Sequence, residues 1–357
     1  MKISELSPLL EQKKCSFALF YNLDSTKTNP NMSYLSGYKG LGALIVAKNK
    51  QPFLIVPAME YERAGKSLVK KIYSMEKKRF FESVYKIIRN NKLEMKSIAI
   101  DKNSFSLNSY KHFKKQFKKS KTKDIALDCL KLRQIKTDKE IFLLKKSCSY
   151  ADKILQKAIK NFRDFKTEAE IAAFLEYETR KNGLELSFRP IVASGSNGSM
   201  PHYEPSVVKI KNGFCVLDFG VKYKDYCSDI TRTVYVGKPA AKVREIYKFL
   251  LDIQYNAINQ IRQNKKCSEL YDFAVRSLGK YQKNFTHGLG HGVGVEIHEL
   301  PNLTLNSKDR IKDNMVFTIE PGIYFPKRFG IRIEDTVLFK KKTTVLTKTA
   351  KDLLIIN

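Results

Sequence analysis

Residues 214–234 read FCVLDFGVKYKDYCSDITRTV, and two of their acids decide how the rest of the chain is understood. Asp218 interrupts the apolar run Val216-Leu217-Asp218-Phe219. Asp229, eleven residues later, opens Ile230-Thr231-Arg232-Thr233-Val234. Both runs are short and rich in apolar and β-branched residues, so they read as strands. A carboxylate inside such a strand is costly to bury unless it is paired or bound to a cation. The same interruption recurs downstream: Glu320 ends Val316-Phe317-Thr318-Ile319, and Glu334 follows Ile331-Arg332-Ile333. Between them lies His291, in HGLGHGVGVEIHE (residues 287–299). Four carboxylates and one imidazole suit two hard-to-borderline divalent ions such as Mn²⁺, Co²⁺ or Zn²⁺. The four negative charges cancel the charge of such a pair. A bridging water could then ionise near neutral pH and attack a carbonyl.

Strand-like runs carrying these acids alternate with amphipathic helices. Ile141, Leu144, Cys148, Ala151, Leu155 and Ala158 form an apolar helical stripe. Thr167-Glu168-Ala169-Glu170 reads as a capping box, with Thr167 as the cap and Glu170 reaching back to its N–H. A further helix is expected from about Val243 to Ile261. The fold class is α+β, with helices packed on a mostly antiparallel, curved sheet. Upstream, FALFYNL, GALIVA, FLIVP and SIAID read as strands, and RFFESVYKIIRN as a helix. The basic segment KHFKKQFKKSKTKD leads into a boundary, which gives two domains, 1–125 and 126–357.

Composition narrows the class. The chain has 357 residues, of which 43% are hydrophobic, enough for a proper core. No run approaches the roughly 18 apolar residues of a membrane span, and no secretory signal is evident. Six scattered cysteines form no C-x-x-C pair, which points to reduced thiols and a cytoplasmic protein. The net charge of +30 invites a nucleic-acid reading, but the lysines are spread over both halves rather than gathered in one motif. Nucleic acid is therefore not an expected partner. The glycines at 288, 290, 292 and 294 do not fit G-x-G-x-x-G. They suit a backbone passing close to a metal-bound histidine instead. His298-Glu299 is not H-E-x-x-H, because Asn302 occupies the last position, and no G-x-S-x-G is present.

In their order and with these neighbours, Asp218, Asp229, His291, Glu320 and Glu334 resemble the pita-bread metallopeptidases. That family includes methionine aminopeptidase, Xaa-Pro aminopeptidase and Xaa-Pro dipeptidase (prolidase). The resemblance extends through IVASGSNGSMPHYEP, LDFGVKYKDYCSDITRT, IEPGIYFP and GIRIED. NMSYLSGYKG and PFLIVPAMEYERAG resemble the smaller creatinase-type α/β domain that precedes the catalytic one in part of the family. Arg332-x-Glu334 and Pro201-His202-Tyr203 resemble the Xaa-Pro branch.

The resemblance implies that Asp229 and Glu334 bridge two ions, manganese being the first expectation. Asp218 would complete one ion, and His291 with Glu320 the other. Glu320 would shuttle the proton between water and the leaving nitrogen. The counterpart of His298 helps stabilise the tetrahedral intermediate, while His202 and His287 would flank the substrate. Arg332 would hold a ligand carboxylate in place. Phe188 and Tyr203 are candidates to line the proline pocket, and Arg328 to anchor a dipeptide's carboxylate. The expected activity is that of an Xaa-Pro aminopeptidase acting on small peptides with proline second, with Xaa-Pro dipeptidase as the alternative. A non-catalytic pita-bread binding module is a further alternative, disfavoured by the intact ligand set. Relatives commonly pair through the N-terminal domain, so a homodimer is expected.

Overall fold

The computed structural model describes residues 2–24, 28–76 and 79–357. The chain divides into two compact units, one ending at Leu132 and the other running from Arg133 to Asn357. The division falls after residue 125 because the helix Ala126–Gln134 still packs Cys129 and Leu132 into the first unit's core.

The first unit is built on a six-stranded mixed sheet. Its order is Lys71–Ser74, Phe53–Val56, Gly42–Ala47, Phe17–Asn22, Ser97–Ile100 and Lys121–Asp124. The four runs read as strands from sequence occupy the sheet's interior. Their residues are almost wholly buried, as continuous apolar runs between two covered faces should be. The two edge strands, KIYS and KTKD, were not expected. Half-exposed edges need no apolar run, and lysines there discourage pairing with another chain. The basic segment before the boundary thus resolves into the helix Leu107–Gln116, capped by Ser106, and an edge strand.

The second unit carries two principal sheets. In one, Ile191–Ser194, Gly213–Phe219, Ile230–Val236 and Ile355–Ile356 lie side by side, antiparallel except for the last pair. In the other, the order is Glu299–Leu303, Gly290–Gly292, Met315–Ile319, Asp335–Lys340 and Lys342–Val345, all antiparallel. A hairpin, Gly322–Phe325 with Phe329–Arg332, and a small antiparallel sheet of Tyr226–Cys227, Val221–Tyr223 and Glu185–Leu186 complete the set. The helices Asp138–Lys160 and Glu168–Lys181 set Ala151, Leu155, Ile171 and Leu175 into one core with Leu217, Phe219, Ile230 and Val234. The helices Ala241–Asn259 and Cys267–Ser277 form another with Met315, Phe317, Ile319 and Val337. This is the expected α+β arrangement with mostly antiparallel sheets.

Capping chemistry differs from expectation in one place. Thr167 does cap its helix through the Glu170 N–H, but the Glu170 carboxylate accepts from the Lys166 N–H at 2.6 Å, one residue before the cap. A full capping box occurs instead at the long helix. There Thr137 Oγ1 accepts from the Glu140 N–H, and Glu140 Oε2 accepts from the Thr137 N–H at 2.7 Å.

Candidate metal centre and active site

Each acid stands where a strand delivers it. Asp218 lies inside Gly213–Phe219, with Ile191 and Thr231 as its cross-strand neighbours. Asp229 immediately precedes Ile230–Val236, and Glu320 immediately follows Met315–Ile319. Glu334 sits between Phe329–Arg332 and Asp335–Lys340, where its N–H donates to the Thr231 carbonyl at 3.2 Å. His291 is the central residue of Gly290–Gly292. A Cβ on Gly290 would lie 2.0 Å from the Thr318 carbonyl oxygen, and one on Gly292 would lie 2.1 Å from that of Leu300. Only glycine on both sides lets this short strand approach its neighbours so closely.

One cavity of about 510 Å³ collects these side chains. Asp218, Asp229, His291, Glu320 and Glu334 all line it, as do His202, His287 and His298, Phe188 and Arg332. Tyr203 and Arg328 do not. Tyr203 lines an adjoining cavity, with its hydroxyl held by Asn197 Nδ2 at 2.9 Å. Arg328 is exposed at the hairpin turn, with its guanidinium over Phe325 and Phe329 in a different cavity. The structure therefore does not bring these two to the cavity that collects the acids, although the cavity beside Tyr203 shares Ile191 and His202 with it. An interval of eight residues after Glu320 says nothing of direction once a hairpin intervenes.

The candidate ligand atoms converge. Asp229, His291 and Glu334 each offer one within 4.8 Å of the others, and His291 Nε2 lies 3.3 Å from Glu320 Oε1. His291 Nδ1 donates to the Gly292 carbonyl at 3.2 Å, which fixes the tautomer and leaves the Nε2 lone pair facing the acids. Burial holds the His291 imidazole below its ordinary pKa, which favours the neutral ring that can donate a lone pair to a cation. The acids are shifted the other way. Burial, then the neighbouring Glu334, Asp218 and Glu320, push Asp229 well above the usual carboxylate range. Burial and the charges of Glu320 and Asp218 do the same to Glu334. Glu320 is raised by burial against the opposing pull of His287 and Arg332. So many buried carboxylates call for positive charge among them.

Two buried oxygens, Asp218 Oδ1 and Glu334 Oε1, have no hydrogen-bond partner among the described residues. Unpartnered buried oxygens are rare in folded proteins, and a cation held among these acids would give both a partner. Their companion oxygens are well held. Asp218 Oδ2 accepts from Arg332 Nη2 at 2.5 Å, and Glu334 Oε2 accepts from Thr231 Oγ1 at 2.6 Å. Each acid is thus oriented by one oxygen and open at the other, as cation ligands require. The donor set of hard oxygens with one nitrogen fits a pair of divalent ions.

Sequence reasoning singled out Arg332 but missed Thr231 and Tyr324, which tie the arrangement together with it. Arg332 also donates from Nε to Thr231 Oγ1 at 3.2 Å and from Nη1 to the Tyr324 hydroxyl at 2.7 Å. The Tyr324 O–H in turn reaches His287 Nε2 at 2.9 Å, while His287 Nδ1 donates to the Gly288 carbonyl at 2.7 Å. Burial first, partly offset by Arg332, pushes the Tyr324 phenol up to about 12, so it stays protonated and donates to His287. A continuous chain therefore runs from Asp218 through Arg332 and Tyr324 to His287. Asn302 and Thr304 also line the cavity. The position of Tyr324 in IEPGIYFP was a usable signal: it lies in the strand that follows Glu320. A second missed feature holds the His298 loop. Glu299 Oε1 accepts from the Val295 and Glu296 N–H groups at 3.0 and 3.2 Å, while Lys136 donates to Glu299 Oε2 at 3.1 Å. The His298 ring rests edge-on to His291, with centroids 4.3 Å apart.

Known proteins place this geometry in context. Residues 143–341 match the model of metallopeptidase family M24, and residues 2–135 match the creatinase/prolidase N-terminal domain. The chain is 38% identical over 335 residues to an Xaa-Pro dipeptidase of Pyrococcus furiosus, covering 91% of this chain and 92% of that one. Among solved structures, it is similar to an X-Pro aminopeptidase from Thermotoga maritima, with TM-score 0.90, 28% identity and full coverage of both chains. It is also similar to a prolidase from Pyrococcus horikoshii, with TM-score 0.89, 34% identity and 99% coverage of each. The pita-bread fold with its creatinase-type N-terminal domain is shared with these neighbours. The chain belongs to metallopeptidase family M24.

Proposed function

We propose that this protein is an Xaa-Pro dipeptidase: a metal-dependent hydrolase that cleaves Xaa-Pro dipeptides. This reverses the order of preference drawn from sequence, which put the aminopeptidase first. The observation that carries it is the 38% identity to the Pyrococcus furiosus dipeptidase along nearly the whole of both chains. The fold alone does not separate the two activities, since the X-Pro aminopeptidase of Thermotoga maritima is equally similar in shape.

In this reading Asp218, Asp229, His291, Glu320 and Glu334 hold two divalent ions, with manganese the first choice. When bound, the ions acidify a water and polarise the scissile carbonyl. The chain's own residues do the rest. Glu320, 3.3 Å from His291 and hydrogen-bonded by Thr318, accepts the water's proton at its carboxylate and delivers it to the leaving proline nitrogen. Asp218 keeps its orientation because Arg332 grips its other oxygen. His298 and His202, both on the cavity wall, supply N–H donors to the developing oxyanion and to the substrate's carboxylate. Phe188, Ile191 and Ile297 offer an apolar wall on which a pyrrolidine ring packs without needing an N–H donor. The reading carries with it a cytoplasmic homodimer acting on short peptides.

The test is product analysis by mass spectrometry. Chelator-stripped protein is reloaded with Mn²⁺ and offered Ala-Pro, Ala-Pro-Ala and Ala-Ala-Ala together. Metal-dependent release of alanine and proline from Ala-Pro, in preference to the tripeptides, is expected. Preferential cleavage of Ala-Pro-Ala would replace the proposal with the aminopeptidase reading, and cleavage of none would sink both.

A further inference from the structure

A second cavity, of about 780 Å³, lies on the other side of the hairpin that carries Tyr324 and Arg332. Its floor is a run of rings in contact. Phe249 meets Tyr281 at a centroid distance of 5.6 Å, Tyr281 meets Phe325 at 5.8 Å, Phe325 meets Phe329 at 4.7 Å, and Phe329 meets Phe214 at 5.4 Å. Four of the five are only half-buried: one side of each packs on the core, and the rest of its surface opens into the cavity. Successive strand residues face opposite ways. Tyr324 therefore points to His287 while Phe325 points here, and the two cavities have separate walls.

The rim is cationic. Lys242, Lys280 and Arg328 line it, against the single carboxylate of Glu245. All three cations are exposed, and among the described residues none is paired with an acid. Lys280 stands 5.2 Å above the Tyr281 ring, and Arg328 stands 5.9 and 5.8 Å above Phe325 and Phe329. Positive groups held over an aromatic floor leave the floor apolar and the rim short of negative charge. The volume is within the range of small-molecule sites.

We propose that this cavity is a second ligand site, distinct from the metal centre, for a small carboxylate carried on an aromatic body. The ring packs on the half-buried Phe249, Tyr281, Phe325 and Phe329, and the carboxylate meets Arg328 and Lys280 at the rim. The site does not depend on the peptidase reading.

The chain contains no tryptophan, so Phe249→Trp installs a single reporter in the cavity wall. The Mn²⁺-loaded variant is titrated with 3-phenylpropionate, and with 3-phenylpropionamide as the uncharged control. The acid is expected to change the tryptophan emission saturably, and the amide to bind roughly tenfold more weakly, the loss of one good ionic contact. Adding Arg328→Glu and Lys280→Glu, both at exposed positions, is expected to weaken the acid at least tenfold. Chelation should leave its binding unchanged. Equal binding of acid and amide, indifference to charge reversal, loss of binding on chelation, or an emission that does not respond would each overturn the proposal.

Discussion

At the scale of single residues, the site depends on which oxygen of each acid is free. Asp218 and Glu334 each commit one oxygen to a donor and leave the other unpartnered, so a substitution acts differently at the two ends of this arrangement. Glu320→Gln keeps the shape but removes the proton acceptor of the proposed mechanism; kcat on Ala-Pro is expected to fall by about 10²-fold or more, in a steady-state assay with metal content checked alongside. Tyr324→Phe deletes the hydroxyl that links Arg332 to His287 while keeping the ring. We expect kcat/KM to drop roughly tenfold with metal stoichiometry unchanged, because one buried hydrogen-bonded link is lost and no ligand is touched. Loss of metal from that variant would instead assign Tyr324 to the integrity of the centre. Arg328→Ala, away from this cavity, should leave dipeptide kcat/KM within about twofold, the range of surface changes.

At the scale of elements, close strand approach and helix capping are the exposed points. The strand Gly290–Gly292 fits only because a carbonyl of each neighbour occupies the space of a side chain. Gly290→Ala drives a methyl group into backbone that has no rotamer to yield, so it is expected to destabilise the fold by about 3 kcal/mol, read from urea denaturation midpoints. At the long helix, Thr137→Ala removes one half of the capping box. A loss of about 1 kcal/mol is expected, and a midpoint identical to the parent's would show that the cap is redundant. The edge strands were the elements least legible in sequence. KTKD and KIYS carry no apolar alternation because half their surface faces water; their strand character comes from the partners Ser97–Ile100 and Phe53–Val56, not from their own residues.

At the scale of the whole molecule, the catalytic unit folds around a cluster of like charges. Removing the cations leaves buried carboxylates whose pKa values are already raised by burial and by one another. Ions that bind only the folded state stabilise it by mass action, about 2.7 kcal/mol at a hundredfold excess over Kd. For a unit of this size that is roughly 5–10 °C in melting temperature, so calorimetry with Mn²⁺ against chelator should separate the two forms by that amount. An unchanged melting temperature would remove the case for a cation site. The cysteines give an independent probe of the same fold. All six are buried, and burial pushes Cys227 and Cys267 up to about 12. A thiol reagent should therefore label the denatured chain and leave the native one essentially unreacted.

The sequence alone determined the α+β class and the interior strands. It also picked out a set of acids and histidines that line one cavity, because a charged residue set in an apolar strand is visible without coordinates. It could not determine where Arg328 and Tyr203 point, that Tyr324 joins Arg332 to His287, or that the tetrapeptides KIYS and KTKD complete a sheet. Those depend on partners distant in sequence. A side chain's direction is fixed by which strand lies beside it and which carbonyl or ring it meets, and only the tertiary structure brings those groups together.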